Sequence, residues 1–387
     1  MSALADAARK IFGVLPADVV LRPYQQDCLA AVKRAFLAGR KRVLVSLPTG
    51  TGKTVVFAAF PSYFRMKGRL LVLAHREELL DQAVKKFAAA GGTDLAVGVE
   101  QADRRAPDDA KVVIASVPTL AHGGCARLKA FAPDAFSIIV VDEAHHAVAR
   151  TYVDVLTHFG AFDDAARTPM VVGFTATPRR GDKIGLQSVF EEIAFARELP
   201  EMIRDGWLCR IVAWRARSTV DLDAVRVRHG DFVDGDLSRA INVEPRNAVV
   251  VAAYREHAAG RRTIVFCADV AHAQSQAATF RAAGIEAEAV WGAMRKDARK
   301  ETLARYADGR LPVVTNCGIL TEGYDDPETN CIILARPTKS QLLYCQMVGR
   351  GTRTAEGKRD LLVIDVVDNT KRHDLIGLNT LFGLPAK

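Results

Sequence analysis

The sequence predicts an α/β protein of two units, each a mostly parallel sheet covered by helices. Three observations carry that expectation. Short apolar runs recur along the chain and are continuous rather than alternating, so their strands are buried on both faces. Segments with helical spacing fall between the runs, which is the alternation of a helix-covered parallel sheet. The alternation lapses once, from about residue 199 to 247, and then resumes. With 387 residues, 49% hydrophobic and 25% charged, the chain can build two cores, and disorder is not the default.

The first organised stretch is Arg22-Pro23-Tyr24-Gln25-Gln26, and Leu29, Val32, Phe36 and Leu37 give Gln25 to Leu37 a helical face. Gln25 reads either as a surface residue or, a short way upstream of a phosphate loop, as an amide that pairs with the donor and acceptor on one edge of adenine. The loop itself is Leu47-Pro48-Thr49-Gly50-Thr51-Gly52-Lys53-Thr54, between the strand-like Val43-Leu44-Val45 and the helix-compatible Val55 to Phe60. Gly50 and Gly52 let backbone N–H groups turn inward around phosphate oxygens, Lys53 reaches the β- and γ-phosphates, and Thr54 ligates Mg2+. Leucine stands at position 47 where the full G-x-x-x-x-G-K-[ST] pattern has glycine. Alone, the shorter G-x-G-K-T core is also compatible with an ordinary glycine-rich turn.

Further strands are expected at residues 70–74, 112–115, 138–141 and 170–174, with a helix from Glu77 to Ala90. The strand at 138–141 ends in Asp142-Glu143-Ala144-His145. Paired acids at a strand end are usually only solvated. Downstream of a phosphate loop, however, one acid suits the Mg2+ shell and the other polarises an attacking water, so Asp142 is assigned to the metal and Glu143 to the base of ATP hydrolysis. From 199 to 247 arginines at 204, 210, 215, 217, 226 and 228 are scattered through polar sequence, read as a connection whose arginines either face solvent or touch nucleic acid. Strand-like runs resume at 263–267, 287–291, 313–316, 331–334 and 361–364. Trp291 closes one of them and reads as core or as a base-stacking platform. The expected domains are 1–200, carrying the ATP-binding loop; 201–247, a connection; and 248–387, with a short tail.

Composition restricts the partners. A formal charge of +8 suits a polyanion such as nucleic acid as well as a plain basic protein. Seven cysteines without a C-x-x-C pair read as reduced, mostly buried thiols, and His122, His145 and His146 form no zinc-ligand pattern. The first ten residues lack the apolar core of a secretory signal, and no stretch approaches the roughly 20 apolar residues of a membrane span. A cytoplasmic location without membrane partners is expected, with an organellar presequence as the alternative.

Taken together, these motifs resemble a superfamily 2 helicase of the DEAD/DEAH group from about Leu21 to Asp368. Arg22 to Gln25 resemble the adenine-reading Q-type motif, Leu47 to Thr54 motif I, Ala74-His75-Arg76-Glu77-Glu78-Leu79 motif Ia, and Thr175-Ala176-Thr177-Pro178 motif III. Thr263 to Cys267 resemble motif IV, Thr321-Glu322-Gly323-Tyr324-Asp325 motif V, and Gln346-Met347-Val348-Gly349-Arg350-Gly351-Thr352-Arg353 motif VI. The phrasing of motifs Ia and VI is similar to the branch of RadD-like and XPB-like helicases and the Res subunits of type III restriction enzymes, although the carboxy-terminal cysteine cluster of RadD-like proteins is missing.

The resemblance implies two RecA-like domains with ATP in the cleft between them. Arg350 and Arg353, about one helical turn apart, become arginine fingers on the γ-phosphate. Gly323 and Asp325 become nucleotide-facing, while Thr175, Thr177 and Gln346 couple the ATP site to the track. A strand would be gripped through Arg76, Ser116, Thr119, Thr315 and Asn316, although Ser116 to Thr119 also reads as a simple turn. DNA is the expected track, in repair, recombination or restriction. The alternatives are a duplex-translocating motor serving a nuclease or repair partner, an RNA helicase, or a nucleotide-gated clamp.

Overall fold

The computed structural model describes residues 20–75, 80, 83–84, 86–88, 95–122, 125–163, 168–176, 185–370, 373 and 375–382. The chain divides into two compact units, residues 1–47 with 52–197, and residues 48–51 with 198–387. Most of the helix expected from Glu77 to Ala90, together with Arg76, Thr177 and Pro178, lies outside the described residues.

The first unit holds a seven-stranded sheet of β1 (Arg42–Ser46), β2 (Leu70–Ala74), β3 (Val97–Glu100), β4 (Val112–Ser116), β5 (Ile138–Val141), β6 (Met170–Thr175) and β7 (Glu192–Ala196), in the order β3-β4-β2-β5-β6-β1-β7. Every pairing is parallel. The inner strands are buried along nearly their whole length, as continuous apolar runs require. Alternate residues Leu71, Leu73, Val113, Ile139, Val141 and Val171 pack with Tyr152, Leu156 and Phe159 from the helix Arg150–His158. Phe174, of the opposite parity on β6, meets Phe57 with ring centroids 5.4 Å apart and Phe60 at 6.1 Å.

The second unit holds β8 (Ile211–Asp221), an antiparallel hairpin of β9 (Val227–Arg228) and β10 (Asp231–Phe232), and then β11 (Thr263–Phe266), β12 (Ala287–Trp291), β13 (Val313–Cys317), β14 (Cys331–Leu334) and β15 (Leu361–Asn369). Its six-stranded parallel sheet runs β12-β13-β11-β14-β15-β8. Val265, Ile333 and Ile364 pack with Val250, Tyr254 and Phe280 in one cluster. Ile264, Ile332, Leu334 and Val363 pack with Tyr306, Tyr344, Met347 and Val348 in another.

The segment from 199 to 247 is more than a connection. It contributes the edge strand β8, paired from Leu361↔Ile211 to Asn369↔Asp221, and the helix Asp234–Ile241. An edge strand buries little on its outer side, and β8 carries exposed arginines among its apolar residues, so it lacks the continuous apolar run that marked the inner strands. The same reasoning covers the unforeseen β7, another half-exposed edge strand. Among the described residues no helix is long and apolar enough to cross a membrane.

Candidate nucleotide site and its partner arginines

In a parallel sheet the loops at the carboxyl ends of the strands share one rim, where ligands of such sheets bind. Leu47 and Lys53 on either side of the loop after β1, the acids after β5 and Thr175 at the end of β6 all lie on that rim in the first unit. Register brings two of them together, since Ser46 pairs with Thr175 and the Leu47 N–H donates to the Thr175 carbonyl at 2.9 Å. Leu47 is wholly buried, so this position serves the core and needs no glycine. Gly50 and Gly52 do need theirs, because both lie in the left-handed region at φ +88° and +79°. The Thr51 hydroxyl donates to the Pro48 carbonyl at 2.7 Å and closes the turn. The helix Lys53–Ala58 follows, and it breaks before a second short helix, Phe60–Tyr63, where Pro61 has no N–H to continue the ladder.

Lys53 Nζ lies 3.4 Å from the Leu47 carbonyl and 3.8 Å from Glu143 Oε1. Lysine and acid, 90 residues apart in sequence, therefore meet at one point. Glu143 is a non-glycine residue at φ +48° and ψ +55°. Its N–H donates to Asp142 Oδ1 at 3.0 Å, and its carbonyl accepts from His146 N–H at 3.0 Å, starting a single 3₁₀ turn, Ala144–His146. Left-handed backbone of this kind costs on the order of 1 kcal/mol and persists where surrounding contacts impose it, often at functional sites. Here it aims the carboxylate at Lys53, while the Asp142 N–H just past β5 still donates to the Leu73 carbonyl at 3.0 Å.

In the sequence His145 is the last letter of the motif and part of no zinc-ligand pattern; in the structure its side chain has a definite place. Nδ1 lies 3.3 Å from Glu143 Oε2, with both residues buried. Beside it, His146 stacks on His75 at 5.0 Å and on Tyr152 at 6.3 Å. Spacing alone could not give these contacts, because the 3₁₀ turn decides which way each imidazole points.

Gln25 reaches the same rim. Its Oε1 accepts the Arg22 N–H at 3.0 Å in a capping box of the helix Pro23–Leu37. Its Nε2 lies where a Cβ on Gly52 would come within 2.9 Å of it. Thr54 follows Lys53 in the first helical turn, and Thr175 is fully buried.

The motif V and VI residues of the second unit are tied together by three side chains. Gln346 Nε2 donates to Glu322 Oε1 at 2.9 Å, Arg350 Nη1 donates to the Tyr324 carbonyl at 2.8 Å, and Arg353 Nη1 pairs with Asp325 Oδ1 at 2.9 Å. Gly323, at φ +75°, makes the turn that faces them. Burial pulls the Arg353 guanidinium below its usual value, opposed by Asp325 and Asp326. The two arginines do not share a helical turn. The helix ends at Gly349, Arg350 caps it, and Arg353 lies in an extended segment bridged to Leu208. Two interactions impose this course: the Thr352 hydroxyl donates to the Gly349 carbonyl at 3.0 Å, and Cys209 N–H takes the Thr352 carbonyl at 2.8 Å.

The residues expected to grip a strand fare unevenly. Ser116 is buried at the end of β4, and the Thr119 hydroxyl accepts the Ala102 N–H at 3.3 Å. Thr315 and Asn316 are fully buried; the Thr315 hydroxyl donates to the Ala273 carbonyl at 2.7 Å, and the Asn316 amide donates to the Val265 carbonyl at 3.0 Å and accepts the Leu320 N–H at 3.3 Å. These two side chains brace β13 against its neighbours, a structural role the sequence did not separate from the expected strand contact. Arg76 and Thr177 lie outside the described residues.

Comparison with known proteins gives the lineage. Residues 18–180 match the family described as type III restriction enzyme, res subunit, and residues 246–355 match the helicase conserved C-terminal domain. Both matched segments are those of superfamily 2 helicases, in agreement with the motifs. It is 35% identical over 94% of its length to IRC3 of Saccharomyces cerevisiae, described as an ATP-dependent helicase, and 36% identical over 94% to a Schizosaccharomyces pombe protein described as a mitochondrial ATP-dependent helicase. It spans 54% and 60% of those two relatives. A subunit of the EcoAI type I restriction endonuclease of Escherichia coli is 26% identical over 95% of the chain and 48% of that subunit. Among solved structures, a fragment from Vibrio vulnificus, described as an HsdR subunit of a type I restriction enzyme, superposes with TM-score 0.69 at 22% identity, covering 94% of this chain and 71% of that one. Saccharomyces cerevisiae Dbp5 superposes at 0.61 with 16% identity, covering 90% and 88%. Both structural likenesses are in fold: two RecA-like units.

Proposed function

We propose that the chain is the motor of a nucleic-acid-dependent ATPase that translocates on or unwinds DNA. The observation that carries this reading is the meeting of Lys53 and Glu143 at 3.8 Å behind a loop with two left-handed glycines. The backbone of Pro48 to Thr54 and the Lys53 ammonium would hold the β- and γ-phosphates, with the Gln25 amide toward adenine. The Thr54 hydroxyl and the Asp142 carboxylate are the hard oxygen donors that suit Mg2+, which would neutralise charge on the phosphates when bound. Glu143 would orient the attacking water and take its proton, with His145 steadying the second carboxylate oxygen.

Arg350 and Arg353 are the proposed fingers of the second unit. For them to meet a γ-phosphate, Arg350 exchanges the Tyr324 carbonyl and Arg353 the Asp325 carboxylate for phosphate oxygens, and hydrolysis returns them. A ligand that offers a better anion in one state than in the other biases the equilibrium between the two arrangements, which is the physical requirement of a motor.

DNA is preferred over RNA because residues 18–180 match a family described as a restriction-enzyme subunit and a restriction-endonuclease subunit is among the relatives, and a nuclease or repair protein is the partner such a motor would serve. A cytoplasmic setting belongs to the same proposal on sequence grounds; one relative is described as mitochondrial. Hydrolysis titrated with single-stranded DNA, duplex DNA, forked DNA and RNA tests the reading. Stimulation by DNA is expected, with stronger stimulation by duplex if the motor moves without separating strands. Stimulation by RNA alone overturns the substrate choice.

A further inference from the structure

Lys358 lies between the motif VI segment and β15, outside every motif. Its Nζ donates to four backbone carbonyls, Pro327 at 2.8 Å, Thr329 at 2.7 Å, Gly351 at 2.7 Å and Arg353 at 2.8 Å. An ammonium has three protons, so at least one is shared, and the carbonyls surround the charge as an ion cage would. Burial pulls this ammonium below its usual value, and the carbonyl dipoles compensate for the lost water.

The two pairs of carbonyls belong to different segments. Pro327 and Thr329 lie on a turn stiffened by Asp326, whose Oδ2 accepts the Thr329 hydroxyl at 2.9 Å and whose Oδ1 accepts the Glu328 N–H at 3.2 Å; Arg262 pairs with the same acid at 3.4 Å. That turn directly follows Asp325. Gly351, in the turn after the helix, and Arg353, bridged to Leu208, lie on the segment that presents the second proposed finger. One ammonium thus clamps the backbone that carries Arg353 to the turn beside its acid partner.

We propose that Lys358 is a positioning residue for Arg353, acting as a tethered cation in a four-carbonyl cage that accepts a free monovalent cation when the side chain is removed. The proposal rests on the reading of Arg353 as a finger. Placement errors of about 1 Å in a group that stabilises the transition state can cost on the order of a hundredfold in rate, so the effect falls on kcat and not on ATP affinity.

The test uses Lys358→Ala, Lys358→Met and Arg353→Ala in the full chain, assayed below each variant's melting midpoint. Both Lys358 variants are expected to lose about tenfold or more in kcat with KM for ATP within about twofold, and neither to lose more in an Arg353→Ala background. Potassium or ammonium chloride should restore Lys358→Ala, where the cage is open, and not Lys358→Met, where the thioether fills it; choline chloride at equal ionic strength should do nothing. Wild-type turnover in Lys358→Met, or a loss in Lys358→Ala that neither cation reverses, overturns the proposal. Normal hydrolysis by Arg353→Ala removes the finger reading instead.

Discussion

Glu143 and Asp365 show how one carboxylate can be tuned by backbone and another by burial. Glu143 takes an uncommon left-handed conformation, and its two oxygens face Lys53 and His145. Asp365 lies in β15 and accepts the Tyr344 hydroxyl at 3.1 Å; Tyr344 belongs to the same helix as Gln346. Burial pushes the Asp365 carboxyl up to about 6, with Asp368 adding to the rise and Tyr344 and Arg215 opposing it. A carboxyl whose folded value is raised stabilises the fold fully below its unfolded value near 4, and that contribution is lost as pH rises through about 6. Asp365→Asn should therefore be more stable than wild type at pH 7, by on the order of 2 kcal/mol, with the advantage gone near pH 4. Melting midpoints of both proteins across that range check it; parallel curves would mean that Asp365 is not the titrating group.

Single residues were legible in the sequence where chemistry forced a residue type. Lys53, Asp142 and Glu143 stood out because phosphate binding and water activation would call for an amine and paired acids at such places, and the structure brings Lys53 within 3.8 Å of Glu143. The burial of Thr315 and Asn316 was not legible, because a polar residue at the end of an apolar run reads the same whether it braces a strand or grips a ligand. Lys358 gave no signal at all, since its acceptors are backbone carbonyls, which leave no trace in side-chain identity.

At the level of elements, the inner strands declared themselves by continuous apolar runs, whereas β7 and β8 did not because edges mix exposed and buried residues. The helix Glu244–His257 was similarly obscured. It is anchored by Arg246, a fully buried arginine that donates to both oxygens of Asp368 at 2.7 Å and to the Ala335 carbonyl at 2.8 Å. An arginine in an otherwise apolar face looks like a surface residue in sequence. Removing one partner leaves a buried charge uncompensated, so Arg246→Met should cost about 3–5 kcal/mol in urea unfolding, and adding Asp368→Leu should recover much of that. If the double variant is as unstable as the single, the pair is not what makes the replacement costly.

For the whole molecule, two RecA-like units and their motif order were readable because helix-covered parallel sheets impose burial on both faces of every inner strand. The internal partners of Arg350 and Arg353 were not, because the Tyr324 carbonyl and the Asp325 carboxylate reach those arginines only through the folding of the second unit. The chain spans 54% and 60% of the length of its two fungal relatives. The most direct measurement is the steady-state rate of ATP hydrolysis by the wild-type chain and by Glu143→Gln, each with and without saturating DNA, beside ATP binding by both. A DNA-stimulated rate is expected for wild type, and no turnover with retained ATP binding for Glu143→Gln. A wild-type rate that no nucleic acid alters, or a Glu143→Gln protein that still turns over, would contradict that expectation.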